Sequence, residues 1–84
     1  MGELNMRMGS NTIPKNELII FLMIVLLLEG RVDSKIFMIK YNLSNKTFYR
    51  YISELKNILA DFGLYFIDIY YDRKEHIYRC KITL

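Results

Sequence analysis

Apolar and polar positions change their period several times along this chain, and each change predicts an element. Residues 18–28 read LIIFLMIVLLL, eleven consecutive apolar residues closed by Glu29 and Gly30. A run of that kind predicts a helix that must be covered on every side. A bilayer span needs about 20 such residues, so the run predicts a packed helix rather than a membrane segment. Pro14 suits the first turn of this helix, and Glu17 adds favourable negative charge near its start. A second, shorter apolar helix is predicted from Ile36 to Tyr41. From Ser44 onward the period is clearly helical, because Phe48, Ile52, Leu55, Ile58, Leu59 and Phe62 recur every three or four residues and form one stripe. Ser44 stands where its hydroxyl can cap that helix, and Gly63 supplies the left-handed stop. The pattern then turns to strands rich in aromatic and β-branched residues, Tyr65 to Tyr71 and His76 to Leu84, separated by Asp72 to Glu75 as a four-residue hairpin loop. Arg31 and Val32 suit a short strand pairing with that hairpin, and Asp33 or Ser34 caps the helix that follows.

The order of these elements predicts an α+β fold of three helices plus a C-terminal β-hairpin. Two helices joined only by Asn42, Leu43 and Ser44, with Leu43 plugging the angle between them, form a helix-turn-helix, and the hairpin 65–84 is its wing. That arrangement makes a winged helix-turn-helix domain over residues 13–84, preceded by a flexible Gly/Ser/Asn/Met-rich tail over residues 1–12.

Helix 45–62 is the candidate reading element. Opposite its apolar stripe lie Asn45, Lys46, Tyr49, Arg50, Ser53 and Asn57, a run of donors in place of the mixed Glu/Lys surface of an ordinary amphipathic helix. Arg can bind guanine through two bonds and Asn can do the same with adenine, while Lys46 and Thr47 at the positive helix start suit phosphate oxygens. Taken alone, such a face also describes a solvated surface. Its place in a helix pair followed by a hairpin is what favours a groove.

Charge sharpens the assignment. The net charge of +3 is modest, but residues 1–30 hold two Lys/Arg against three Asp/Glu, and residues 31–84 hold ten against six. Positive charge therefore gathers in the part expected to meet phosphate. Arg79 and Lys81 on the last strand can reach phosphates too, although exposed basic residues also guard an edge strand against aggregation. The alternating positions of that strand predict an apolar face of Tyr78, Cys80, Ile82 and Leu84, opposed by Ile77, Arg79, Lys81 and Thr83.

The run LSNKTFYRYISELKNILADFGL, followed by a hairpin ending in IYRCKI, resembles the DNA-binding half of DeoR-type bacterial repressors. Ser44, Thr47, Phe48, Tyr49, Arg50, Glu54 and Leu55 stand at matching places. The resemblance implies that Lys46, Thr47, Tyr49 and Arg50 face DNA, that the wing near Arg73 and Lys74 approaches the minor groove or backbone, and that Tyr78 begins the last core strand. The chain departs from the pattern where Phe37, Met38 and Ile39 replace the small residues that usually let the two helices cross closely. It also holds no counterpart of the long C-terminal sensor domain, so no effector pocket of that kind is expected.

The candidate DNA contacts are therefore Ser44, Asn45, Lys46, Thr47, Tyr49, Arg50, Ser53, Arg73 and Lys74. Part of the apolar helix 18–28 must still be covered, and 84 residues make a marginal core. Both facts predict a homodimer through Phe21, Val25 and Leu28, which also suits two-fold reading of inverted half-sites.

Enzyme chemistry finds little footing. Cys80 is the sole cysteine and His76 the sole histidine, so neither a disulfide nor a cysteine-based zinc site is expected, and no Gly-rich phosphate loop occurs. No metal, cofactor or catalytic residue is expected. A cytoplasmic, prokaryotic, plasmid or viral DNA-binding regulator fits these features. A winged protein-interaction module, or a subunit of a replication or partition complex, is the competing reading.

Overall fold

The computed structural model describes residues 13–84, so the tail predicted over residues 1–12 lies outside the described residues. Helix α1 (Lys15–Glu29), strand β1 (Arg31–Val32), helix α2 (Ser34–Tyr41), helix α3 (Asn45–Asp61) and strands β2 (Ile67–Asp72) and β3 (Ile77–Ile82) follow in chain order. The strands form an antiparallel sheet in the order β1-β3-β2. This is the winged helix-turn-helix architecture, three helices and a C-terminal hairpin, and the short strand at Arg31–Val32 pairs with the hairpin through β3.

The helix ends are specified locally. Asp33, not Ser34, caps α2, its Oδ1 accepting from the backbone N–H groups of Lys35 and Ile36, so the helix begins two residues before Ile36. Asn42 ends α2 in the left-handed conformation, with the Leu43 N–H donating to the Met38 carbonyl and the Asn42 N–H to that of Ile39. Gly63 closes α3 the same way, with the Leu64 N–H donating to the Leu59 carbonyl and the Gly63 N–H to that of Ala60. Both are Schellman closures, and each feeds an apolar residue, Leu43 or Leu64, back against the core.

At the start of α3 the Ser44 Oγ accepts from the Thr47 N–H at 3.1 Å and donates to the Thr47 Oγ1 at 3.0 Å. Ser44→Ala is expected to cost about 1 kcal/mol, read as a fall in melting temperature of roughly 4–8 °C in a domain of this size.

The core joins all three helices to the sheet. Leu22, Leu26, Phe48, Leu55 and Ile69 are fully enclosed, each contributing about 1.5–3 kcal/mol of burial. Leu18 and Ile19 from α1, Val32 from β1, Phe37 from α2 and Tyr51, Ile52 and Leu59 from α3 complete it. Phe37 resolves the helix crossing that lacks small residues. Its ring lies 5.8 Å from that of Phe48 and 4.8 Å from that of Tyr41, so a large side chain fills the angle and the helices cross around it.

Several predicted inward positions are corrected. In α3 the buried stripe is Phe48, Tyr51, Ile52, Leu55 and Leu59, while Ile58 and Phe62 face out. At 100° per residue Ile58 sits about 80° off the axis of that stripe. Phe62 is the last residue before the turn, and Leu64 takes the core position instead. The strands start and stop later or earlier than the residue types indicate. Tyr65 precedes β2 and is exposed, as are Ile82 and Leu84 at the other end. Ile77 is buried even though it belongs to the otherwise polar face of β3, whereas Tyr78 and Cys80 pack against the core as expected. Burial pushes the Cys80 thiol above its ordinary value, in keeping with a packing role.

Candidate nucleic-acid interface

The polar face of α3 is open. Asn45, Lys46, Tyr49, Arg50, Ser53 and Asn57 are exposed, because the buried stripe occupies the other side of the helix. Among the described residues neither Lys46 nor Arg50 is held in an ion pair. Thr47 is half-buried. Its Oγ1 accepts from Ser44, which leaves its own hydroxyl proton available to an acceptor in front of the helix. Ser44, by contrast, has its hydroxyl engaged in the cap. Glu54, on the flank, is bound to Lys15 of α1 at 3.0 Å, so its charge is drawn toward α1.

The wing is ordered by one carboxylate. The loop between the strands runs from Arg73 to His76, one residue later than Asp72 to Glu75, because Asp72 pairs with Ile77 as the last rung of the ladder. Asp72 Oδ1 accepts from the N–H groups of Lys74 at 2.9 Å and Glu75 at 3.1 Å, and Oδ2 accepts from Arg79 Nε at 2.7 Å. His76 closes the loop at φ +59°, donating its N–H to the Asp72 carbonyl. Arg79, a predicted phosphate ligand, therefore braces the turn. Arg73 and Lys74 remain exposed at the tip.

The Arg79 hydrogen bond, assisted by the backbone N–H groups of Glu75 and Lys74, holds the Asp72 carboxyl below its ordinary value of 3.8. A depressed carboxylate stabilises the folded state above its unfolded pKa, and that contribution fades as pH falls through the folded one. Amide exchange at Lys74 and Glu75, after correction for intrinsic rates, should thus accelerate relative to the core below pH 3.8. In Asp72→Ala the acceleration should already be present at neutral pH and show no such acid dependence.

Aromatic rings tie the wing to α3. Tyr78 lies 6.4 Å from Tyr49 and 5.1 Å from its cross-strand partner Tyr71, and the Tyr71 hydroxyl is 3.3 Å from His76 Nδ1. Burial, then the neighbouring phenols of Tyr49 and Tyr71, push the Tyr78 phenol above its usual value. Tyr49 thus has a second role beyond facing outward, that of a bracket between helix and hairpin. Tyr71 was legible only as a strand residue, although it and Tyr78 stand equally far from the turn, the spacing of a cross-strand pair.

The expected dimer residues divide. Leu28 is 80% exposed, Val25 is half-buried, and Phe21 is half-open with its ring against those of Phe37 and Tyr41. Phe21 and Val25 border a shallow groove lined further by Ile36, Phe37, Tyr41 and Ile77, to which α3 contributes no residue. Among the described residues no group of His, Cys, Asp and Glu is placed to hold a metal ion, and no helix is long and apolar enough to cross a membrane.

The chain matches the Mga helix-turn-helix domain over residues 4–75, a span that takes in all three helices and β2 and ends in the wing loop. No curated protein and no solved structure matched it. The resemblance to DeoR-type repressors thus holds at the level of the winged helix-turn-helix and is corrected at the level of the family. With its capped α3, open donor face and braced wing, the chain belongs to the Mga helix-turn-helix domain family, a DNA-binding family of transcription regulation.

Proposed function

We propose that the protein binds double-stranded DNA sequence-specifically as a homodimeric transcriptional regulator, with α3 in the major groove and the Arg73–Lys74 tip on the flanking backbone or minor groove. One observation carries this reading. Asn45, Lys46, Tyr49, Arg50 and Ser53 occupy a single open face of a capped helix, and the Tyr49–Tyr78 contact sets the hairpin beside that face. Lys46 and Thr47 at the helix start take phosphate oxygens, Arg50 and Asn45 suit base edges, and Ser53 continues the polar face. Ser44 contributes by fixing the helix start.

Titration of the purified chain with its own upstream region at two salt concentrations tests the proposal. Binding should weaken steeply with salt, log K falling by about 0.9 per phosphate contact per decade. A random duplex should bind at least about a thousandfold more weakly than the specific site. Equal affinity for both duplexes would remove sequence specificity. No binding at low salt would remove DNA as the ligand and turn attention to a protein partner.

A further inference from the structure

Three phenols and an imidazole form a row between α3 and the wing. Tyr49 stands on the open face of α3, Tyr78 on β3, and Tyr71 opposite Tyr78 on β2. Neighbouring rings lie 6.4 Å and 5.1 Å apart, and His76 of the wing loop ends the row with its Nδ1 3.3 Å from the Tyr71 hydroxyl. Packing accounts for the rings but not for the hydroxyls, since Phe37 and Phe48 extend the same cluster without one. Among the described residues neither the Tyr49 nor the Tyr78 hydroxyl has a hydrogen-bond partner. Tyr49 is 52% exposed, and no buried polar side-chain atom lacks a partner, so both oxygens meet solvent. Burial, then the phenols of Tyr49 and Tyr71, keep the Tyr78 phenol above its usual value and therefore a proton donor at neutral pH. Tyr71, 43% exposed, can accept from His76 Nδ1–H and still donate its own proton.

The geometry of B-DNA supplies the acceptor. A single sugar-phosphate backbone separates the major groove from the minor groove beside it. With α3 in the major groove and the Arg73–Lys74 tip flanking it, that backbone has to pass between helix and hairpin, over the row of phenols. Nearby carboxylates do not oppose it. Both oxygens of Asp72 are engaged, by the N–H groups of Lys74 and Glu75 and by Arg79, while Glu75 lines the groove beside α2 and Glu54 is tied to Lys15.

We propose that the phenol hydroxyls of Tyr49, Tyr78 and Tyr71 donate to phosphate oxygens of the backbone strand crossing between α3 and the wing, and so fix the register of the protein on the duplex. The assignment rests on the DNA-binding reading given under Proposed function and adds the place where the backbone is held. Contacts of this kind position a protein without reading bases. They leave base reading to Arg50 and Asn45.

Tyr49→Phe, Tyr71→Phe and Tyr78→Phe test this, because each removes a hydroxyl and keeps the ring, and the circular dichroism spectrum should stay that of the parent. Each variant should bind about tenfold more weakly, the worth of a hydrogen bond to a charged group. The loss should be equal for the specific and the random duplex, with the slope of log K against log salt unchanged, since a neutral donor displaces no counterion. Duplexes in which one phosphate at a time is replaced by an uncharged methylphosphonate locate the contacts. At the crossing phosphates the parent should lose affinity and the Phe variants markedly less. A parent chain that binds no duplex would overturn this proposal and the DNA-binding reading together. Binding by the parent, with all three variants within twofold of it, would overturn the phenol contacts alone. Variants that compress the difference between specific and random duplexes would mark a base contact and overturn the phosphate assignment. Methylphosphonate losses identical in parent and variants would overturn it as well.

Discussion

Lys46→Glu combined with Arg50→Glu should lower affinity for the specific duplex by about a hundredfold to ten-thousandfold, the loss of two charge-assisted contacts worth roughly 1.5–3 kcal/mol each. The two residues share the open face of α3 and neither enters the core, so melting temperature and sedimentation should stay those of the parent. The slope of log K against log salt should also shrink by about 0.9 for each phosphate contact removed. The single variants should separate the roles. If Lys46 sits on the backbone, Lys46→Ala weakens every duplex alike, whereas Arg50→Ala compresses the difference between specific and random duplexes. Affinity within threefold of the parent in the double variant would mean that α3 does not face DNA. Gel-shift titrations with both duplexes read all of these effects.

The largest stability effect is expected at Phe48. Its side chain is 0% exposed and sits between Phe37 at 5.8 Å, Tyr78 at 5.6 Å and Tyr49 at 6.3 Å, so it joins α2, α3 and the hairpin. Phe48→Ala should cost about 3–5 kcal/mol, because neighbouring rings on three sides leave little room for collapse into the cavity. A domain of this size has roughly 5–10 kcal/mol in total, so the variant should be largely unfolded at modest denaturant concentrations. Urea unfolding followed by circular dichroism measures this. Ile39→Ala, at a fully open position on α2, provides the contrast and should change stability by about 0.5 kcal/mol or less. A midpoint for Phe48→Ala close to the parent value would show that the aromatic cluster does not hold the domain together.

The parts of this fold that were legible in the sequence are those decided within a few residues. Ser44 before a helical period, Gly63 after it and a three-residue connection specify the helix pair without reference to anything distant. The register of the hairpin was less accessible. Residue types around Asp72 suit a turn, and in the structure Asp72 does organise the turn, but from the last rung of the ladder, where it also meets Arg79 across the strands. That ion pair depends on which residues face each other across β2 and β3. Without it Arg79 reads as an unclaimed cation. The same limit applies to Ile58 and Tyr51. Both lie near the edge of the apolar stripe of α3, and only the positions of α1 and the sheet decide that Tyr51 goes in and Ile58 stays out.

Among the candidate site residues, those on α3 follow directly from helical periodicity, since a helix with one buried stripe has its opposite face defined. Arg73 and Lys74 follow from the turn. The bracket of Tyr49, Tyr78 and Tyr71 needs the tertiary fold, because rings far apart in sequence meet only when the hairpin folds back on α3. The family is a different matter again. Features shared by many winged domains, such as a capping Ser and an aromatic-Arg opening to the second helix, cannot separate DeoR-type repressors from the Mga domain, and the longer match over residues 4–75 does.

That tyrosine bracket also equips the protein with an optical reporter. The chain contains seven Tyr and no Trp, so its ultraviolet emission is tyrosine emission, with no indole to mask it. Tyr49 lies on the open face of α3 and, through Tyr78, within energy-transfer range of Tyr71 beside the wing loop. Contact of α3 with stacked bases would quench Tyr49 and drain excitation from its neighbours, whereas loosening of the wing would part Tyr71 from His76 and Tyr78 and change the anisotropy of the group. Tyr41, Tyr51, Tyr65 and Tyr70 emit as well, so the share of the bracket is the difference between the emission of the parent chain and that of Tyr49→Phe.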